Sequence, residues 1–166
     1  MIKGLASLVV LGLLMHGPAA AQLADIPGWQ RKIEAGAVVY SAPGVAGKSG
    51  MTLTLPAVEA LGPDGLEPWF KSRVAAWVKG RKIYKQNGAQ NTAGILTDGI
   101  SLPNANGKGG DLYLFSGWKS RSGAQFAIEF LPEHISQDDQ QVRIGSAFIA
   151  SQSQRRLEVT PAMLKN

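Results

Sequence analysis

Cysteine is absent from the 166 residues, and histidine occurs twice. The first absence excludes disulfides, thiol nucleophiles and thiolate metal sites, so the fold must be held by packing. The second leaves His134 as the one imidazole beyond the N-terminal stretch, and any Ser-His-Asp triad or histidine metal site has to use it. No G-x-S-x-G elbow surrounds a serine. Blocks of like charge are missing too. Lys and Arg number 17 against 12 Asp and Glu, for a net charge of +5. That is a mildly basic chain without the footprint of a nucleic-acid binder, and it licenses only weak attraction to anionic polymers or headgroups. There is no low-complexity tract, no long repeat, and after Met15 no apolar run long enough to cross a bilayer.

What is present begins with a targeting signal. Lys3 supplies a positive start, Leu5 to Met15 is a short apolar run, Gly17-Pro18 breaks it, and Ala19-Ala20-Ala21 is a small-x-small cleavage site. Residues 1–21 are therefore expected to be a secretory signal peptide, too short and wrongly flanked for a membrane span. Cleavage after Ala21 would leave Gln22 first, and the expected location is the periplasm, or beyond the cell after further export. With no cysteine, the lipoprotein route is closed.

Ala42 to Ser49 reads A-P-G-V-A-G-K-S, an Ala-first form of the phosphate-binding loop with Lys48 and Ser49 in the diagnostic places. A phosphate loop needs a helix after it, because the phosphates sit on that helix's free N–H groups. Here Ser49 and Gly50 lead into Met51-Thr52-Leu53-Thr54-Leu55, which alternates with period two and reads as a half-buried strand. We expect a hairpin loop with a solvated Lys48 and no nucleotide.

The rest of the chain follows the same logic. Residues 22–27 read as a loose arm, and the stretches around Trp29–Ile33 and Ala37–Tyr40 as a first hairpin or one bent strand. Leu66, Phe70, Val74, Trp77 and Val78 recur at helical spacing and end near Gly80. Asp64, or Glu67 ahead of Pro68, would cap that helix. A strand interrupted at Asp98-Gly99 spans Thr92 to Leu102. In the next strand Leu112, Leu114 and Trp118 share one face, and Tyr113 and Phe115 the other. Ala124, Phe126, Ile128 and Phe130 then alternate against Gln125 and Glu129. Ser136 and Asp139 have capping spacing for a second helix from Gln137 to about Ser151, and Thr160-Pro161 opens a last turn. The expected fold is α+β: a single domain over residues 28–155, with a mainly antiparallel sheet of about five to six strands. Two helices pack on one of its faces, and a C-terminal tail covers 156–166.

Chemistry is thinly represented. His134 and Asp138 are four apart, but Ser136 as the cap places His134 before the helix, where Asp138 and Asp139 serve the helix N-terminus. No metal and no cofactor is expected. The four tryptophans are more suggestive. Trp77 belongs to the helical stripe and so to the core, and Trp69 lies at its edge. Trp29 and Trp118 sit beside cations: Arg31 and Lys32, Lys119 and Arg121. Aromatic rings next to cations make platforms for headgroups, glycans or proteins. Trp118, Lys119 and Arg121, with Trp29 and Arg31, are the candidate contact surface, whereas Lys71, Lys79, Lys82 and Lys85 read as a solvated face.

The pattern Trp29, Tyr40-x-x-Pro43, Leu53-Thr54-Leu55-Pro56, Gly65-x-x-x-Trp69-Phe70 and Phe115-Ser116-Gly117-Trp118 resembles a group of exported proteins of alphaproteobacterial type. The resemblance covers about two-thirds of the chain. That group has no assigned function, so export is what the resemblance implies, and no site transfers. The order of elements is also similar to the PsbP-like α+β fold, used mostly by non-catalytic accessory proteins, although a fold does not carry a function. Two expectations follow. The first is a non-enzymatic periplasmic binding or accessory protein contacting an envelope protein or an anionic surface. The second is a small hydrolase or lyase whose carboxylates meet in space, marked by a deep pocket with two converging acids.

Overall fold

Ala35 and Gly36 adopt left-handed conformations and turn the chain between β1 (Gln30–Glu34) and β2 (Ala37–Ser41). Two such residues form the hairpin turn whose twist suits antiparallel strands. The computed structural model describes residues 23–137 and 139–165. The expected signal peptide lies outside the described residues, as do Gln22, Asp138 and Asn166. The period-two run becomes β3 (Thr52–Pro56), with Leu53 and Leu55 buried and the threonines half-buried. Helix α1 (Leu66–Val78) follows. Beyond it lie β4 (Lys85–Gln86), β5 (Gln90–Thr92), β6 (Ile95–Pro103), β7 (Gly109–Lys119) and β8 (Ala124–Leu131). Helix α2 (Gln140–Gln154) and a 3-10 turn at Pro161–Leu164 complete the described chain.

The fold is an α+β single domain with a wholly antiparallel sheet, ordered β1-β2-β3-β8-β7-β6-β4, and β5 joins β4 on the outer edge of β6. Among the described residues the sheet has eight strands rather than five to six. The additional two are β4 and β5, two and three residues long and exposed throughout, so neither carries a hydrophobic pattern to read. Asp98 and Gly99 do not interrupt β6. They pair in register with Phe115 and Leu114, and the irregularity falls between Ser101 and Pro103.

The helices lie on opposite faces of the sheet, not on one. Register assigns the faces, since directly paired residues in an antiparallel ladder point the same way. Leu96, Ile100, Phe115 and Phe126 pack with Phe70 and Val74 of α1. Leu53, Trp118, Ala127 and Leu131 pack with Val142, Phe148 and Ile149 of α2. A sheet covered on both sides explains why Gln125 and Glu129, which alternate with the apolar residues of β8, are buried. Gly117 permits the close approach of α1: a Cβ there would meet Phe70 Cδ2 at 2.6 Å and Trp69 at 3.2 Å. Glu59 holds the same helix through Arg73 (2.8 Å) and the Trp69 indole N–H (3.2 Å).

The caps differ from expectation. Gly65 precedes α1 without a side-chain cap, and Lys79 closes it, with Gly80 next in a left-handed conformation. Helix α2 starts three residues later than predicted, because Asp139, not Ser136, accepts the Gln141 N–H at 2.7 Å. The two terminal segments are integral parts of the α2 face. Leu23 and Ile26 of the supposed loose arm are buried, as are Leu157 and Val159 of the supposed tail. Tyr40 donates its hydroxyl to Ala24 O at 2.8 Å, and Val58 N–H donates to Val159 O at 2.7 Å. No helix among the described residues is long and apolar enough to cross a membrane.

Candidate functional site

The five residues expected to form a contact surface do not assemble into one. Trp118 is 1% exposed, and its indole N–H donates to Leu157 O at 3.1 Å. Its position at the end of β7 does not uncover it, because the C-terminal segment crosses over the ring. Trp29 is buried in the same cluster and donates to Gln141 Oε1 at 2.7 Å, which ties the start of β1 to α2. Both rings are therefore core. Lys119 and Arg121 are exposed, but their turn is fastened to the C-terminal segment by Ser122, whose N–H and hydroxyl both donate to Glu158. Arg31 pairs with Asp25 at 3.0 Å and donates to Leu23 O at 3.3 Å, so it secures the N-terminal segment. Cation–ring contacts occur on the α1 face instead: the Arg81 guanidinium lies 4.2 Å from the Trp77 ring centroid, and Arg73 stands 6.0 Å from that of Phe126. Trp77, expected in the core, is half-buried between Arg81 and the rings of Tyr113 and Phe115.

The Gly-Lys-Ser loop is a hairpin tip. Val45 and Lys48 exchange backbone hydrogen bonds around Ala46 and Gly47, both left-handed, and the chain then enters β3. Those two amides are satisfied within the loop, and no helix begins at Ser49. The loop does come close to His134, which precedes α2, and to Asp139. Together they border a cavity of about 290 Å³. No group of three His, Asp or Glu residues placed to hold a metal occurs among the described residues. Asp138, the suggested partner of His134, lies outside them. Lys48→Ala should change stability by less than about 0.5 kcal/mol, as for an exposed side chain without special contacts. ATP should leave the melting temperature of both proteins unchanged, and an ATP-dependent rise lost in the variant would restore the nucleotide reading.

A larger space runs between α1 and the β4–β5 edge. Its volume is about 810 Å³, within the range of small-molecule sites. Its walls are mainly apolar, with Phe70, Val74 and Val78 from α1 and Ala89 from the β4–β5 connection. Lys71 and Lys79 also line it, both on the helical wall and two turns, roughly 12 Å, apart. Lys71 is paired with Glu67 at 2.7 Å on the open surface, where such a pair holds the ammonium only weakly. Asp98 lies at the floor, where it accepts from Gln86 Nε2 at 2.7 Å and Gly88 N–H at 2.9 Å. It thus replaces ladder hydrogen bonds where the edge strand breaks between β4 and β5, and the groove keeps its far wall. The sequence pattern predicts a solvated face for these lysines. Their exposure is as expected, but the groove beside them depends on β4 and β5, which carry no readable pattern.

On the opposite face, Glu129 is 2% exposed beneath α2, and no described residue donates to its Oε1. Burial pushes its carboxyl up to about 7. Gly145 of α2 makes room for it: a Cβ there would stand 3.0 Å from Oε1 and 3.3 Å from Met51. A signal for this burial existed in the sequence, since Ala127 and Leu131 share the Glu129 face of β8. Asp98 and Glu129 both border a smaller cavity of about 260 Å³, but register sends their side chains to opposite faces of the sheet. The two acids do not converge as paired-carboxylate hydrolysis requires.

Fold and sites together define a small α+β domain whose central antiparallel sheet carries a lysine-edged apolar groove on one face and a buried acid on the other. No protein-family model matches the chain, and neither a curated protein nor a solved structure shows significant similarity to it.

Proposed function

We propose that this is an exported, non-enzymatic binding or accessory domain of the periplasm whose groove along α1 takes an acyl-chain amphiphile with an acidic head. The observation that carries the reading is the groove itself: an apolar space of about 810 Å³ with two lysines on its helical wall. Apolar walls favour a hydrocarbon chain at about 25 cal/mol per Å² removed from water. The lysines select the sign of the head, and Asp98 on the floor disfavours a buried anion there, so the head belongs beside Lys71 or Lys79. The anionic or amphipathic envelope partner inferred from sequence is kept, but its contact moves from β7 to α1. Export rests on Lys3, the apolar run and Ala19-Ala20-Ala21.

Titration of the mature protein with dodecanoate, followed by calorimetry, tests the reading, with dodecyltrimethylammonium as the cationic control. Dodecanoate should bind and the cation should bind more weakly. An exposed lysine–anion contact is worth about 1 kcal/mol or less, so replacing Lys71 and Lys79 together by Ser should weaken dodecanoate up to about fivefold without altering the melting temperature of the free protein. Ala75→Trp, on the exposed side of the helical wall, should block the groove. Equal binding of both amphiphiles, or dodecanoate affinity unchanged in these variants, would sink the proposal.

A further inference from the structure

We infer that the cavity between α2 and the β6–β7 strands is a binding site for a small organic cation, a primary ammonium bearing a few carbons, anchored on the Glu129 carboxyl. Four observations converge on that ligand. The cavity measures about 260 Å³, which suits a chain of a few heavy atoms rather than a cofactor. Its polar lining is rich in neutral oxygen: the hydroxyl residues Thr97, Ser116 and Ser146 and the amide residues Asn87 and Gln90. Among the described residues no Lys, Arg or His lines it, although the protein as a whole is basic. Glu129 is buried with an Oε1 to which no described residue donates.

An ammonium supplies what this arrangement lacks. A buried carboxylate without a partner costs several kcal/mol, and a hydrogen-bonded counter-charge offsets that cost. The three N–H donors of a primary ammonium match Glu129 and two of the neighbouring neutral oxygens. A divalent metal fits less well, because no cluster of three ionisable ligand residues is found among the described residues. An anion meets only a carboxyl and neutral groups. Size is limited by Leu114 and by Asn87, whose side-chain amide would lie 2.8 Å from a Cβ at Gly99. Ser146 is exposed on α2 and marks the mouth. Because burial holds the Glu129 carboxyl near neutrality, a cation that binds the carboxylate must expel protons at pH 7. Among the described residues no other charged side chain contributes to that shift: β3 presents Leu53, β7 presents Leu114 and α2 presents Gly145.

The experiment uses n-butylammonium, with n-butanol as its neutral analogue and butyrate as its anionic one, each titrated calorimetrically into the mature protein at pH 7. Two buffers of different ionisation enthalpy report proton release. Butylammonium is expected to bind with protons released, with butanol and butyrate at least about tenfold weaker, as for loss of a charge-assisted hydrogen bond. Glu129→Gln should lower butylammonium affinity by at least about tenfold and remove the proton release. Should that variant not fold, Ser146→Leu at the exposed mouth replaces it and should block entry while the melting temperature stays unchanged. Butylammonium that fails to bind overturns the inference. So does binding without proton release, butyrate binding equally well, or butylammonium affinity unchanged in the variant that folds. The α1 groove lies on the other face of the sheet, so these outcomes are independent of dodecanoate binding.

Discussion

Trp118→Ala should destabilise the domain by about 3–5 kcal/mol, the usual cost of removing a buried aromatic ring, and thereby release the C-terminal segment. Trp118 is among the largest fully buried side chains of the protein. Its ring fills the α2 face where β7 ends, and its N–H donates to Leu157 O. That carbonyl belongs to a segment also held by Leu157 N–H to Gln152 O, Val159 N–H to Gln125 Oε1, Val58 N–H to Val159 O and the two Ser122 donors to Glu158. Removing the ring leaves a cavity and an unpaired carbonyl together. Ordinary domains have about 5–15 kcal/mol to lose, so a substantial unfolded fraction is expected. Trp118→Phe keeps much of the volume and should cost less, with the hydrogen bond accounting for about 1 kcal/mol. Urea unfolding measures the loss, and trypsin cleavage after Arg155 or Arg156 reports release of the segment, since both arginines are exposed just before Leu157. A Trp118→Ala protein as stable and as trypsin-resistant as the parent would contradict the buried position of this ring.

Trp118 also shows where the sequence stops being legible. Period two assigned Leu112, Leu114 and Trp118 to one face of β7 correctly. The neighbouring Ser/Gly turn and cations suggested a ring at a wet edge, and nothing local revealed that Leu157 returns over it from 39 positions away. Long-range closure has no periodic signal. The same blindness affects β8. Alternation separates two faces but does not say what covers the second, which is α2 over Glu129 and the C-terminal segment over Gln125. The longer strands and both helices were legible because their apolar repeats persist for five residues or more. The short β4 and β5 were not, since their pairing is fixed by the edge of β6 and by the Asp98 contacts to Gln86 and Gly88. The groove inherits that limit: its α1 wall was predictable, its opposite wall was not.

Glu129 should make the domain less stable as the pH rises from about 4.5 to about 7, by a total of about 3 kcal/mol, and Glu129→Gln should abolish that dependence. The sign follows from proton counts. The carboxyl has an ordinary value of 4.5 and is raised by burial to about 7 in the folded protein. Below 4.5 both folded and unfolded chains carry the proton, and the stabilising contribution is complete. Between the two values the folded chain holds a proton that the unfolded chain has lost, so stability falls with pH. Above 7 both are ionised and the slope vanishes. Each unit of difference corresponds to about 1.4 kcal/mol, which gives the total of about 3. Glutamine keeps the volume and the neutral state at every pH. The stability of Glu129→Gln relative to the parent should therefore rise from near zero at pH 4.5 to about 3 kcal/mol at pH 7.5. Taking the difference cancels the titration of groups common to both proteins. Urea midpoints across that range, with unchanged slopes, are the measurement. A difference that stays constant from pH 4.5 to 7.5 would mean that Glu129 ionises as readily in the folded protein as in the unfolded chain, contrary to its burial beneath Gly145 with no donor at Oε1 among the described residues.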